Sequence, residues 1–150
     1  MEIINTPNIN EARKQIQKLK KEGKKIIVQA QDNKFNRKIL ENKDVDILLS
    51  PEFHNRKNYV KQRDSGLNEI LCKLAKQNNI KICIDLDKIK NLDKKQKAIV
   101  LARIIQNIKL CKRTKTKITF APDLKKQDAL SLMQSLGADT QQASLSYCKN

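Results

Sequence analysis

Short apolar runs alternate along the chain with longer stretches in which apolar residues recur at every third or fourth position. The first pattern predicts buried strands and the second amphipathic helices. EII at 2–4 is a weak strand. In INEARKQIQKLKKEG, Ile9, Ala12, Ile16 and Leu19 share one helical face and Gly23 closes the turn. KIIVQA at 25–30 is a strong strand, followed by a short helix over NRKILEN, and VDILLS at 45–50 is a strand stopped by Pro51. Leu67, Ile70, Leu71 and Leu74 then fall at i, i+3, i+4 and i+7 and predict a helix over 66–78, with Asp64 or Ser65 as its N-cap. KICIDL at 81–86 is a further strand, and LDKKQKAIVLARIIQNIKLCKR is the longest helix. KITFA at 117–121 is a strand ended by Pro122, KQDALSLMQSLG is a helix with a glycine stop, and TQQASLSYCKN closes the chain with a further short helix.

Strand and helix therefore alternate about five times. Parallel strands need crossover connections, which are usually helices, so the pattern predicts an α/β fold built from parallel βα units. Two closures satisfy it, an open doubly wound sheet or a barrel. A full eight-fold barrel takes about 250 residues, so a barrel here is shortened or incomplete, with about five to six βα units. At 150 residues the chain is read as one domain over 1–150. No Ser- or Pro-rich linker divides it.

Composition narrows the function. Hydrophobic residues make up 39% and suit a folded core, but aromatics are 3% and Trp is absent, so the core rests on Ile, Leu and Val and stacking is not a main binding device. The 32 Lys plus Arg against 16 Asp plus Glu give a formal charge of +16 and a pI near 9.8. Compositional bias or heat adaptation would enrich Lys without leaving twice as many bases as acids. A field this one-sided is neutralised most naturally by a polyanion, which points to nucleic acid. No apolar run approaches the roughly 20 residues of a membrane span and no signal peptide opens the chain, which points to the cytoplasm and no membrane partner.

The densest uncompensated charge lies in HNRKNYVKQR, 54–63, which carries Arg56, Lys57, Lys61 and Arg63 without a carboxylate. With Asp64, Ser65 and Gly66 opening a helix behind it, this segment reads as an anion site in which Arg63 and free first-turn amides face a phosphate. A second cluster follows on the longest helix. Arg103, Gln106, Lys109 and Arg113 share a face without acids, and Lys112 adds to the five bases in 109–117. Part of that cluster serves the helix dipole, and the surplus suits phosphate contacts. Arg37 and Lys38 are weaker candidates.

Other chemistry has less support. Asp85 and Asp87 follow a strand, where βα folds place active sites, and would suit Mg²⁺ in a small nuclease. The simpler reading makes them turn residues satisfying local backbone donors. His54 is the sole histidine, and Cys72, Cys83, Cys111 and Cys148 form no CxxC pair, so neither zinc nor a disulfide framework is indicated. With no GxGxxG and no P-loop, a nucleotide cofactor is not indicated either.

RDSGLNEILCKLAKQNNIKICIDL followed by LARIIQNIKLCKRTKTKITF resembles the archaeal ribonuclease P protein component 3 family, relatives of a subunit shared by the eukaryotic ribonucleases P and MRP. The matching features are the R-[DN]-S-G-L-N start at Arg63 to Asn68, the Q-N-[IV]-[KR]-L-C-[KR] helix at Gln106 to Lys112, and NRKILENKDVDILLSPE at 36–52. The likeness spans roughly residues 25–140, and members of the family are generally longer at the N-terminus. It implies a TIM-barrel-like, non-catalytic subunit that binds ribonuclease P RNA and works with component 2 and the other protein subunits. Precursor tRNA would lose its 5′ leader through catalysis by the RNA, so the protein would bind no cofactor and Mg²⁺ would sit on the RNA. A general RNA-binding protein remains an alternative.

Overall fold

The computed structural model describes residues 2–147. Five strands, β1 (Ile3–Ile4), β2 (Ile27–Gln29), β3 (Ile47–Leu49), β4 (Lys81–Asp85) and β5 (Ile118–Ala121), form one parallel sheet in the order β1-β2-β3-β4-β5. Between and after them run α1 (Ile9–Lys21), α2 (Asn33–Leu40), α3 (Glu69–Gln77), α4 (Leu86–Lys90), α5 (Lys94–Thr114), α6 (Lys126–Ser135) and α7 (Thr140–Ser146). A doubly wound sheet reverses its strand order at a switch point, whereas this order never reverses. The arrangement is that of a barrel wall, and among the described residues β1 and β5 pair with no further strand, so the barrel is partial.

Alternation within the strands explains the layering. Ile4, Val28, Leu48, Ile82, Ile84, Ile118 and Phe120 point to one face and share a single core with Ala12, Ile16 and Leu19 of α1, Ile39 and Leu40 of α2, Leu71 and Cys72 of α3, and Ile104, Ile108 and Cys111 of α5. Ile27, Leu49 and Cys83 point to the other face and form a small separate cluster with Ile47 and Ala121. Helices thus cover one face of the sheet, as they cover the outside of a barrel. Val28, Leu48 and Ile82 are matched in register across β2, β3 and β4, which makes the core layer continuous.

The elements follow the sequence pattern with three corrections. Helix α2 begins at Asn33 because Asp32 accepts the Phe35 N–H at 2.8 Å. Helix α4, absent from the sequence reading, is a single turn capped by Asp85. Helix α3 begins at Glu69 rather than 66, and its N-cap is Asn68, whose Oδ1 accepts the Leu71 N–H at 2.9 Å. Neither Asp64 nor Ser65 can cap it, because Gly66 with φ +82° interrupts the helical path. Asn68→Ala is therefore expected to lower stability by about 1 kcal/mol in urea unfolding.

Candidate nucleic-acid interface

The segment between β3 and α3 leaves the carboxyl end of its strand and lies across two neighbouring elements. Helix α5 anchors one side. Arg103 Nη1 donates to the Glu52 and His54 carbonyls at 3.0 and 2.9 Å, Gln106 Nε2 to the Arg63 carbonyl at 2.9 Å, and Asn107 Nδ2 to the Ser65 carbonyl at 3.0 Å. These donors stand at i, i+3 and i+4, so one helix face grips both arms of the loop. On the other side Arg56 Nη1 donates to the Gln31 carbonyl at 3.0 Å, just after β2, and Asn33 Nδ2 donates to the Tyr59 hydroxyl at 2.8 Å.

The loop is also tied to itself. Arg56 Nε donates to Asp64 Oδ2 at 2.8 Å, the Gly66 N–H to Asp64 Oδ1 at 2.9 Å, and the Asp64 N–H to Asn58 Oδ1 at 3.1 Å. Burial would push the Asp64 carboxyl up, but the Arg56 guanidinium and the Gly66 N–H outweigh it and hold the group below the usual carboxylate value. His54 Nδ1 accepts the Arg56 N–H at 3.2 Å. Burial first, and then the charges of Arg56 and Arg103, lower the imidazole to about 4, so it is neutral at pH 7. Beneath the loop, Glu52 is fully buried with neither carboxylate oxygen hydrogen-bonded, and burial lifts it to about 8.

This geometry divides the residues singled out from sequence. Lys57 and Arg63 are exposed on the outer surface of the clamped loop, together with Lys61. Arg103 is not on that surface: it is buried, and its guanidinium holds backbone carbonyls. Its place beside Ile104 in the buried stripe of α5 takes it away from solvent. Arg56 is half-buried, with two of its donors committed inside the protein. Asp64, Ser65 and Gly66 form no open anion site either. All three are buried, and the Gly66 N–H that a phosphate would need is already taken by Asp64.

The remaining bases lie elsewhere. At a 1.5 Å rise per residue, Arg113 stands about 15 Å along α5 from Arg103, near the end of the helix remote from the loop. There Lys112 pairs with Asp139 at 3.1 Å and Arg113 with Glu69 at 3.9 Å, whereas Lys109, also exposed, stands only one turn beyond Gln106. Arg113 also lines a shallow basic groove with Lys73, Lys76 and Lys115. On α2, Arg37 pairs with Glu41 at 3.1 Å and Lys38 is exposed.

Asp85 and Asp87 behave as turn residues. Asp85 Oδ1 accepts the Asp87 and Lys88 N–H groups at 3.0 and 3.3 Å, and Asp87 pairs with Lys90 at 2.9 Å. Among the described residues no three His, Cys, Asp or Glu side chains are grouped to hold a metal ion. Cys72, Cys83 and Cys111 are buried free thiols, and Cys148 lies outside the described residues. No helix among the described residues is long and apolar enough to cross a membrane.

No protein-family model matches the chain. Individual relatives do. Ribonuclease P protein component 3 of Methanococcus maripaludis strain S2 is 32% identical over 121 residues, covering 79% of this chain and 48% of the relative. The strain C7 protein of the same name is 30% identical over 118 residues with the same coverage, and that of Methanocaldococcus jannaschii is 27% identical over 120 residues. The chain is homologous to ribonuclease P protein component 3. It spans about half the length of the curated component 3 proteins it matches. A chain in the cryo-EM structure of archaeal ribonuclease P with mature tRNA superposes with a TM-score of 0.78 at 23% identity, over 95% of this chain and 62% of that one. This establishes the partial barrel as a shared fold.

Within the component 3-like segments, Arg103, Gln106 and Asn107 hold the backbone of the loop. Gln106 and Asn107 were not recognised as loop anchors. A signal was available, since Asn107 interrupts the apolar stripe between Ile104 and Ile108, and a polar side chain in a buried stripe needs a partner.

Proposed function

We propose that the chain is a non-catalytic protein subunit of an archaeal ribonuclease P, binding the catalytic RNA while that RNA removes 5′ leaders from precursor tRNA. The observation that carries this reading is the clamped loop: side-chain donors from α5 fix its backbone, and Lys57, Lys61 and Arg63 remain outside. Homology to component 3 proteins supports the choice of RNA. Each cation that meets a phosphate releases condensed counterions. Neutralising the folded RNA in this way lowers the Mg²⁺ it needs, and the ion itself sits on the RNA. Component 2 and the other ribonuclease P proteins are the protein partners in this reading. The free thiols fit a reducing cytoplasm.

Reconstitution tests the proposal. The purified chain is expected to stimulate precursor tRNA cleavage only with ribonuclease P RNA and the other protein subunits, and Asp85→Ala should retain that stimulation. Cleavage by the chain alone, abolished by Asp85→Ala, would establish a nuclease instead. Equal protection of unrelated RNAs in footprinting would leave only a general RNA-binding protein. Arg63→Ala should weaken binding and reduce the slope of log affinity against log salt by about one. An unchanged slope would remove Arg63 from the interface.

A further inference from the structure

We propose that the tip of the β3–α3 loop is a stacking site for an unpaired RNA base, with Tyr59 as the platform. The inference rests on the RNA-binding reading above and adds the kind of RNA element recognised. Tyr59 is 54% exposed and Val60 is fully exposed, in a protein whose other large apolar side chains are mostly interior. Free exposure of a ring on a loose tip would carry little meaning, but this ring is positioned. Asn33 Nδ2 donates to its hydroxyl at 2.8 Å, the Gln62 N–H reaches back to its carbonyl at 3.4 Å, and Asn58 is tied to the Asp64 N–H. A held ring loses little conformational entropy when a base settles on it.

The surroundings select the ligand. Lys57, Lys61 and Arg63 are exposed on either side of Tyr59, and no carboxylate occurs between residues 54 and 63. One Tyr and one Val are too small a patch to hold a protein by apolar burial. A ligand that is anionic and also offers a flat aromatic face suits both features, and an unpaired nucleotide is such a ligand. In duplex RNA the base faces are already stacked on one another, so a duplex would engage the cations and leave the ring unused.

Binding of the full chain to a labelled single-stranded RNA of mixed sequence, and to a blunt duplex containing that strand, separates the contributions across a salt series. Tyr59→Ala should lower single-strand affinity roughly five- to hundred-fold, with the salt slope and duplex affinity unchanged. Tyr59→Phe, which keeps the ring and loses the Asn33 hydrogen bond, should fall between wild type and Tyr59→Ala on the single strand, and an effect as large as that of Tyr59→Ala would overturn the ring as the platform. Wild-type single-strand affinity with Tyr59→Ala, alongside a reduced slope for Arg63→Ala, would overturn the stacking site and leave the RNA interface standing. A loss of equal size on both RNAs would also overturn it, as the mark of a disrupted loop. If the chain binds neither RNA, or Lys57→Ala and Arg63→Ala both leave the salt slope unchanged, the RNA-binding reading itself fails. If Tyr59→Ala leaves RNA binding intact and abolishes assembly with component 2, the tip is a protein contact.

Discussion

Gly66→Ala is expected to destabilise the protein by on the order of 4 kcal/mol, enough to shift the urea midpoint far from wild type and abolish RNA binding through the loop. The backbone at Gly66 has φ +82°, where an L side chain costs roughly 1–2 kcal/mol. Steric contact is the larger problem. An added Cβ would lie 1.8 Å from the Pro51 carbonyl oxygen and 2.5 Å from its carbon. Both are backbone atoms, and they adjoin two fixed points: the Ser50 N–H donates to the Cys83 carbonyl at 2.8 Å, and Arg103 holds the Glu52 carbonyl. Relief therefore requires the loop to leave β4 or α5. Gly23→Ala is the matched comparison, because φ is +66° and no atom lies within 4 Å of the added Cβ. Its cost should be confined to the conformational term. Equal losses for the two variants would show that the close approach to Pro51 is unimportant.

The start of α3 departs from the periodicity. Leu67 and Ile70 fit a helical repeat with Leu71 and Leu74, yet Leu67 is buried from the loop ahead of the helix and Ile70 is 60% exposed. Spacing records a possible face, whereas the helix begins where a cap stops the loop, and Asn68 does this. The strands were legible because each is a short apolar run whose alternate residues enter separate layers. The strand and helix pattern alone admits sheet or barrel, because strand order is set by crossover packing between segments distant in sequence; the family resemblance pointed to the barrel that the strand order shows.

The candidate site was legible as charge and illegible as geometry. Lys57, Lys61 and Arg63 stand outside as a basic loop requires. Arg103 and Arg63 are chemically identical, however, and a planar guanidinium serves two buried carbonyls as readily as a phosphate. Only the neighbours decide. Arg103 lies in the stripe of Ile104 and Ile108, while Arg63 precedes a buried turn with its carbonyl held and its side chain outside.

Glu52→Gln should remove a pH dependence that the wild-type fold carries above neutrality. Glu52 is completely buried, neither carboxyl oxygen finds a hydrogen bond, and burial is the chief cause of its rise from 4.5 to about 8. The nearby charge of Asp85 pushes in the same direction, while the charges of Lys88 and Arg103 pull it down. Because the folded state holds this proton more tightly than the unfolded chain, the associated stability is fully present below pH 4.5 and is lost as pH rises through 8. At about 1.4 kcal/mol per pH unit, several kcal/mol are at stake. His54 acts in the opposite sense. Its folded value near 4 lies below the ordinary 6.5, so its contribution is lost as pH falls through that window. Between pH 4.5 and 6.5 the two slopes oppose each other, and from 6.5 to 8 Glu52 acts alone. Urea midpoints at pH 6.5, 7, 7.5, 8 and 9 should decline to pH 8 and flatten above it in the wild type, and stay nearly level in Glu52→Gln, with the variant the more stable protein at pH 9. Parallel curves would mean that Glu52 reaches water or a cation when it ionises.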